Sequence, residues 1–201
     1  MTISNKTLYI FDFDDTLITN RAVDLEAFNG VLVKHNLTLL TAQQLLALRK
    51  KGLVAESIFK MLTTDAVDRL VAERRALLND IKIWKHAQLN TGVKSTLKKI
   101  KATRQPIVIL TKKQSRLTKQ ILNALCIRTF IDSVYTSNEK HTVLSKIIQQ
   151  YAPTKTVFVS DDVAEMQPMQ ALPVTLFCFE NAYKNQTAMT DKLISSLENI
   201  L

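Results

Sequence analysis

Residues 9–17 read YIFDFDDTL, a buried-strand pattern that ends abruptly in a cluster of acidic residues. The apolar run that ends near Phe11 predicts a strand, and three carboxylates and a hydroxyl follow it at once. Strand residues two apart point the same way, so Asp12 and Asp14 can face one spot if the backbone stays roughly extended. Two carboxylates this close repel each other unless a cation or a shared proton lies between them. The pattern therefore predicts a divalent cation, and the hard, oxygen-seeking Mg²⁺ fits best.

The composition indicates a globular protein. Its 201 residues allow one domain, or one domain with a sizeable insertion, and the 46% of hydrophobic residues are enough for a packed core. No apolar run reaches the roughly 18 residues of a membrane span, and the N-terminus lacks the pattern of a secretory signal. The isolated cysteines, Cys126 and Cys178, stand in apolar sequence and predict free, buried thiols in a reducing compartment. We therefore expect a cytoplasmic protein with no membrane partner.

The charge balance favours binding of phosphates. There are 27 Lys and Arg residues against 18 Asp and Glu, which gives a net charge of +9. A basic field attracts phosphate groups, whether on small molecules or on nucleic acid. The lysines are scattered in pairs without one long basic run, which is also typical of a solvated surface. We expect a small phosphorylated metabolite as partner and only weak, sequence-independent binding of nucleic acid, while the oligomeric state is open.

A long helical segment follows the acidic motif. Residues 6–12 form the first predicted strand, and no convincing strand occurs over residues 18–90. Residues 41–44 read TAQQ and fit a helical capping box, and the Lys51-Gly52 pair is typical of a helix end. Asp65 is placed to cap a further helix. The segment therefore reads as a helical insertion.

Beyond the insertion, strands alternate with helices. Alternation of this kind predicts right-handed crossovers and a parallel sheet with helices on both faces. The apolar stripe over residues 193–200 predicts a terminal helix. The predicted strands are 106–110, 133–136, 156–159 and 174–179.

The polar residues at these strand ends form a recognisable series. An Asp-x-Asp-x-Thr sequence after a hydrophobic strand resembles the first motif of the haloacid dehalogenase-like (HAD) superfamily. In that resemblance, Asp12 matches the nucleophile and Asp14 the acid/base. Thr111 matches the hydroxyl of the second motif, Lys140 the lysine of the third, and Asp161 the metal carboxylate of the fourth. The resemblance covers nearly the whole chain, with the motifs in family order.

The resemblance implies Mg²⁺-dependent hydrolysis of a small phosphate monoester through an aspartyl-phosphate intermediate. Asp12 and Asp161 would hold the metal together with the backbone carbonyl of Asp14. Asp12 would attack phosphorus, and Asp14 would protonate the leaving oxygen and then activate water. Thr111 and Lys140 would bind the phosphoryl oxygens and stabilise their charge in the transition state.

Some positions depart from the family pattern. Ser160 stands where glycine is common before the metal carboxylate, and Glu165 stands where aspartate is common. Whether Asp162 or Glu165 joins the metal shell is therefore open. Thr16 is expected to support the loop after the first strand rather than to touch substrate. Asp14 argues against the dehalogenase branch of the superfamily, which lacks this second acid.

The predicted fold is α/β, with a Rossmann-like three-layer core around a parallel sheet and a small all-helical cap insertion. The core would comprise residues 1–17 and 91–201, and the cap residues 18–90. Within the cap, Arg49 and Lys50 are candidate substrate-binding residues on a basic turn, with a solvated turn as the alternative.

Two other functions are compatible with the sequence. The same site can transfer the phosphoryl group to another acceptor, as a phosphotransferase or phosphomutase does, because the sequence does not separate acceptors. The net charge also suits a non-catalytic phosphate- or nucleic-acid-binding module. The intact carboxylates Asp12, Asp14 and Asp161 weigh against that module.

Overall fold

The computed structural model describes residues 6–64, 66–181 and 193–201. These residues divide into two compact units. The core unit comprises residues 6–19, 89–181 and 193–201, and the helical unit comprises residues 20–64 and 66–88. Asp65, which was expected to cap a helix, lies outside the described residues.

Six parallel strands form the central sheet of the core unit, which confirms the predicted α/β fold. Their order is β5-β4-β1-β6-β7-β8, and β2 and β3 form a separate two-stranded sheet. No strand was expected over residues 18–90, and these two short strands correct that expectation at both ends of the segment. The strands in chain order are β1 (Thr7–Phe11), β2 (Ile18–Thr19), β3 (Gln88–Leu89), β4 (Ile107–Thr111), β5 (Ser133–Thr136), β6 (Lys155–Ser160), β7 (Thr175–Phe179) and β8 (Leu193–Ile194).

Helices account for most of the remaining described residues. None of the described helices is long and apolar enough to cross a membrane. The α-helices in chain order are α1 (Arg21–Lys34), α2 (Ala42–Lys50), α3 (Ala55–Leu62), α4 (Val67–Leu78), α5 (Val93–Ala102), α6 (Ser115–Ala124), α7 (Lys140–Tyr151) and α8 (Val163–Met166). Short 3₁₀ segments are Ile81–His86, Arg128–Phe130, Gln167–Ala171 and Leu197–Ile200.

The register of the sheet determines where the site lies. Phe11, the last residue of β1, pairs with Ile109 of β4 and Val159 of β6. All five residues of β4 are buried, as expected for a central parallel strand covered on both faces. The polar residues that end or follow β1, β4 and β6 therefore share one edge of the sheet, where ligands of open α/β sheets bind.

The C-terminal segment differs from the predicted helix. Leu193 and Ile194 form β8, which pairs with Cys178 and Phe179 of β7. Ser196 has extended dihedrals and caps the short 3₁₀ segment that begins at the next residue. An N-cap residue lies outside the helical region, so the backbone cannot be helical through residue 196. The apolar residues recur at helical spacing, but Leu193–Ile194 form a strand and Leu197–Ile200 a 3₁₀ segment instead of one α-helix.

The helical unit has an apolar core of its own. The predicted capping box is confirmed, because the Thr41 side chain accepts a hydrogen bond from the Gln44 amide while the Gln44 side chain accepts one from the Thr41 amide. Helix α2 ends at Lys50, and Gly52 follows with φ of +75°. The buried core residues are Phe28, Val31, Leu32, Leu40, Leu45, Ile58, Phe59 and Leu70.

Neither cysteine forms a disulfide, as expected, but only one is buried. Cys178 lies within β7, whereas Cys126 is exposed, and the expectation of a buried thiol there was wrong. Cys126 follows the C-cap of α6 with φ of +55°, a left-handed conformation that reverses the chain. The next residue, Ile127, enters the core in its place and is fully buried.

Gly92 provides a test of the packing at the start of α5. Its φ is +77°, and an added Cβ would lie 2.5 Å from Ser196 Oγ and 3.2 Å from the Glu198 amide nitrogen. Gly52 has a similar φ, but an added Cβ there would meet nothing within 4 Å. We expect Gly52→Ala to cost about 1–2 kcal/mol of unfolding free energy from the backbone conformation alone. Gly92→Ala should cost at least about 1 kcal/mol more because of overpacking. Denaturant titration of both variants checks this, and equal losses would contradict it.

Candidate functional site

Asp12 follows β1 directly and is held in a buried network. Its amide donates to the Val159 carbonyl at 2.8 Å, so the pairing of β1 with β6 continues to this residue. One carboxylate oxygen, Oδ1, accepts a hydrogen bond from the Phe13 amide at 2.7 Å and contacts Lys140 Nζ at 2.8 Å. The Ser160 hydroxyl lies 3.4 Å from the other oxygen, Oδ2. Burial raises the pKa of Asp12 to about 7, against the lowering influence of Lys140.

The chain turns sharply after Asp14. Asp15 has φ of +57°, and the Leu17 amide donates to the Phe13 carbonyl at 3.0 Å. The Asn90 side chain braces the turn, because its amide donates to the carbonyls of Asp15 and Thr16. Aspartate tolerates the left-handed conformation better than most residues. The turn sends the chain away from the sheet immediately after the two acidic positions.

The side chain of Asp14 faces a different lysine from that of Asp12. Its Oδ2 lies 3.3 Å from Lys113 Nζ, and about a third of the carboxylate is exposed. Asp12 is far more enclosed, with 9% of its side chain exposed. The two acids predicted from residues 9–17 therefore have different environments, and carboxylates in different environments can take different roles.

Asp161 lies just beyond β6 and is almost fully buried. Its amide donates to Thr16 Oγ1 at 3.0 Å, which ties the loop after β1 to the end of β6. Asn181 Nδ2 donates to Asp161 Oδ2 at 2.7 Å. Asp162 instead caps α8 through a hydrogen bond from the Glu165 amide to its side chain. Of these two adjacent acids, Asp161 therefore lies in the site, whereas Asp162 caps a helix.

Lys140 is the first residue of α7, and its ammonium is buried between two carboxylates. It contacts Asp12 Oδ1 at 2.8 Å and Glu165 Oε2 at 2.6 Å, and 4% of the side chain is exposed. Burial acts to lower its pKa, but the two carboxylates prevail and the pKa of Lys140 is raised. It is therefore a permanent cation beside Asp12. Glu165 also pairs with Lys112 and so serves as a charge partner for two lysines.

Thr111 ends β4 on the same edge of the sheet as Asp12 and Asp161. The residue is 1% exposed, and its Oγ1 accepts a hydrogen bond from the Lys113 amide at 3.1 Å. A hydroxyl that accepts this bond still has its own proton to donate. Thr111 is therefore suited to donate to an anionic group at this edge.

The carboxylates at this edge fit a hard divalent cation. Among residues 6–64, 66–181 and 193–201, no group of three His, Cys, Asp or Glu side chains forms a metal cluster. The set implied by the family needs only two side chains, those of Asp12 and Asp161, with the backbone carbonyl of Asp14. The charge of Asp161 raises the pKa of Asp12, although less than burial does, so the two carboxylates repel each other. A bound Mg²⁺ would relieve this repulsion and suits oxygen ligands.

Three site neighbours were missed by the sequence analysis. Asn181 contacts Asp161, Lys113 contacts Asp14, and Asn90 braces the turn after Asp14. Two of them could have been found from position alone. Lys113 comes two residues after the last residue of β4, and Asn181 comes two residues after the last residue of β7.

The two cap candidates have different environments within the helical unit. The Arg49 guanidinium donates to Asp24 Oδ2 at 2.9 and 3.0 Å and to the Leu53 carbonyl at 3.0 Å. Arg74 pairs with the other oxygen of Asp24, and both guanidinium groups lie over the Phe28 ring. Arg49 is therefore engaged in internal packing, which argues against its predicted role in substrate binding. Lys50 is exposed, and its predicted role stays a prediction.

Comparison with models of known protein families identifies the family of the chain. The model of the haloacid dehalogenase-like hydrolases matches residues 9–177, and the chain therefore belongs to this family. The match extends from β1 into β7 and includes the ends of β1, β4 and β6. Among curated proteins, none matches the sequence significantly.

Solved structures share the fold over nearly the whole chain. A haloacid dehalogenase-like family hydrolase from Streptococcus pneumoniae has a TM-score of 0.75 at 19% identity, covering 98% of each chain. A predicted phosphoglycolate phosphatase from Haemophilus somnus has a TM-score of 0.77 at 15% identity, covering 98% of this chain and 97% of that one. CbbY from Rhodobacter sphaeroides, in complex with xylulose-1,5-bisphosphate, has a TM-score of 0.68 at 10% identity, covering 95% and 94%.

The structural role of Arg49 can be tested against its neighbour. Arg49→Ala removes charge-assisted hydrogen bonds to Asp24 and leaves the Leu53 carbonyl without this donor. We expect a loss of about 1–3 kcal/mol in unfolding free energy. Lys50→Ala removes the same charge from an exposed position and should change stability by less than about 0.5 kcal/mol. Denaturant titration followed by circular dichroism measures both, and similar effects would contradict the internal role of Arg49.

Proposed function

We propose that the protein is a Mg²⁺-dependent phosphatase that hydrolyses a small phosphate monoester through an aspartyl-phosphate on Asp12. The observation that carries this proposal is the buried contact of Asp12 with Lys140 at the sheet edge that Asp161 and Thr111 share. Membership of a hydrolase family supports the reaction type. The similar structures support a small phosphorylated substrate, since one is described as a predicted phosphoglycolate phosphatase and another binds a sugar bisphosphate.

The first requirement is to bring two anions together. A carboxylate nucleophile and a phosphate ester repel each other, and in a buried site the repulsion is weakly screened. Lys140 places a permanent cation 2.8 Å from the nucleophile. When bound by Asp12, Asp161 and the Asp14 carbonyl, Mg²⁺ would neutralise charge and orient the phosphoryl group.

Asp12 then attacks phosphorus, and the bond to the leaving oxygen breaks. The Phe13 amide and Lys140 both contact Oδ1 and hold the carboxylate in one orientation. Such fixed positioning is a large part of the rate enhancement of phosphoryl transfer. The Thr111 hydroxyl donates to a phosphoryl oxygen as negative charge redistributes.

Asp14 moves the protons in both half-reactions. It donates a proton to the leaving oxygen in the first and takes one from the hydrolytic water in the second. Its partial exposure suits this role, because the carboxylate must meet both a leaving group and water. Water then attacks the aspartyl-phosphate, releases inorganic phosphate and regenerates Asp12.

The helical unit is proposed to act as the cap that selects among esters. We place the cap at residues 18–90, between the first and second motifs, as the family resemblance implies, and this segment contains the helical unit. Its separate apolar core and compactness support a distinct function from the sheet-bearing unit. Lys50 is the remaining basic candidate for substrate recognition in this unit.

Metal dependence gives the first test of the proposal. Phosphate release from an aryl phosphate should require Mg²⁺ and stop when a chelator is added. Mg²⁺ should also raise the melting temperature, because it relieves repulsion between Asp12 and Asp161. That thermal shift should disappear in Asp161→Asn. Full hydrolysis in excess chelator would refute the mechanism.

Substitution of the two acids separates their roles. Asp12→Asn should abolish turnover and prevent any covalent phosphoenzyme, because the nucleophile is lost. Asp14→Asn should slow turnover by about 10²–10⁴-fold, the usual range for a lost acid/base. Acid-quenched samples with radiolabelled substrate measure the phosphoenzyme in each variant.

An exposed acid of α4 provides the matched control for these variants. Asp68→Asn makes the same chemical change at a position that belongs to the helical unit and is exposed. It should retain normal turnover. Near-normal turnover of Asp12→Asn would show that the nucleophile is another residue.

A further inference from the structure

We propose that Lys113 binds an anionic group on the leaving part of the substrate, so that the enzyme favours phosphate esters of short hydroxy acids. The inference rests on the proposed phosphatase function and narrows its substrate class. It assigns recognition of the leaving group to a residue of the core unit.

The backbone of Lys113 is fixed by both neighbouring strands. Its amide donates to Thr111 Oγ1 at 3.1 Å, and its carbonyl accepts from Thr136 Oγ1 at 3.1 Å. Thr111 ends β4 and Thr136 ends β5. The lysine therefore starts from a rigid point at the edge of the sheet, which reduces the conformational entropy lost when it binds a ligand.

The ammonium of Lys113 is directed toward the acid/base. Its Nζ lies 3.3 Å from Asp14 Oδ2, and only 14% of the side chain is exposed. A general acid must lie within about 3 Å of the atom that receives its proton, so Nζ lies within roughly 6 Å of the leaving oxygen. The cation is thus on the side where the alcohol departs.

The neighbouring lysines have other partners. Lys140 contacts Asp12, the nucleophile, and Glu165. Lys112 is exposed and pairs with Glu165. Lys140 and the metal would therefore neutralise the charge of the transferred phosphoryl group. Lys113 places a separate cation next to Asp14.

The chemistry of the ammonium sets the class of ligand. An ammonium has three protons, so it can hold Asp14 and bind another anion at the same time. In the phosphate ester of a 2-hydroxy acid, the carboxylate is attached only one carbon away from the ester oxygen. Such a carboxylate can reach Lys113 with a charge-assisted hydrogen bond of about 2.8 Å.

A pair of isosteric esters tests the inference. The substrates are 2-phosphoglycolate and the corresponding neutral amide, which differ in charge but hardly in shape. We expect wild-type kcat/KM to favour the acid by about 10–100-fold, the effect of a hydrogen bond between charged groups. Lys113→Met should lower kcat/KM for both esters, because Asp14 loses its ion pair, but the loss should be about 10–100-fold larger for the acid than for the amide. Lys113→Arg should retain the preference.

Lys112→Met is the matched control, because it removes one charge from the same loop. It should keep the preference for the acid. No preference in the wild type, a preference that survives Lys113→Met, or equal losses on both esters would overturn the inference. Equal losses from Lys112→Met and Lys113→Met on the acid would also overturn it, because a general field would then explain the effect.

A binding measurement separates this inference from the phosphatase proposal. Calorimetric titration of 2-phosphoglycolate and its amide into Asp12→Asn requires no turnover. Adding Lys113→Met should weaken binding of the acid about 10–100-fold and leave binding of the amide nearly unchanged. Absence of hydrolysis by the wild type would refute the proposed function, whereas unchanged binding of the acid would refute the role of Lys113.

Discussion

The buried contact between Asp12 and Lys140 is the interaction on which the core unit depends. A carboxylate at the end of a central strand loses most of its hydration, and burying it without a partner would be costly. Lys140 supplies the partner from the start of α7, and Glu165 balances the lysine from α8. Ion pairs thus join α7 and α8 to the end of β1. Removing Lys140 would leave the carboxylates of Asp12 and Glu165 without their shared cation.

The same interaction explains several details around it. The Ser160 hydroxyl, at a position where the family commonly has glycine, contacts Asp12 and accepts a hydrogen bond from the Asp162 amide. Glu165 stands where aspartate is common, and its longer side chain reaches both Lys140 and Lys112. These departures do not remove a required charge. They add hydrogen bonds and ion pairs around the two carboxylates proposed as metal ligands.

Much of the fold and part of the site could be predicted from the sequence. Strands β1, β4 and β6 are largely apolar runs that end in polar residues. Both the strands and the candidate site residues at their ends could therefore be located from the sequence. Contacts such as those of Asn90 with the carbonyls of Asp15 and Thr16 could not be, because they join residues far apart in the chain and leave no periodic signal. The internal contacts of Arg49 were hidden for a similar reason. The basic run at residues 49–51 was visible, but Asp24, the partner of Arg49, lies 25 residues earlier.

Gly92 shows how close packing at one position can limit the substitutions that a sequence tolerates. The segment around Ser196 and Glu198 packs against this glycine so closely that an added Cβ would force its neighbours to shift. A substitution at residue 92 therefore depends on how far the neighbours at residues 196 and 198 can shift. The start of α5 and this segment, about a hundred residues apart, constrain each other's sequence.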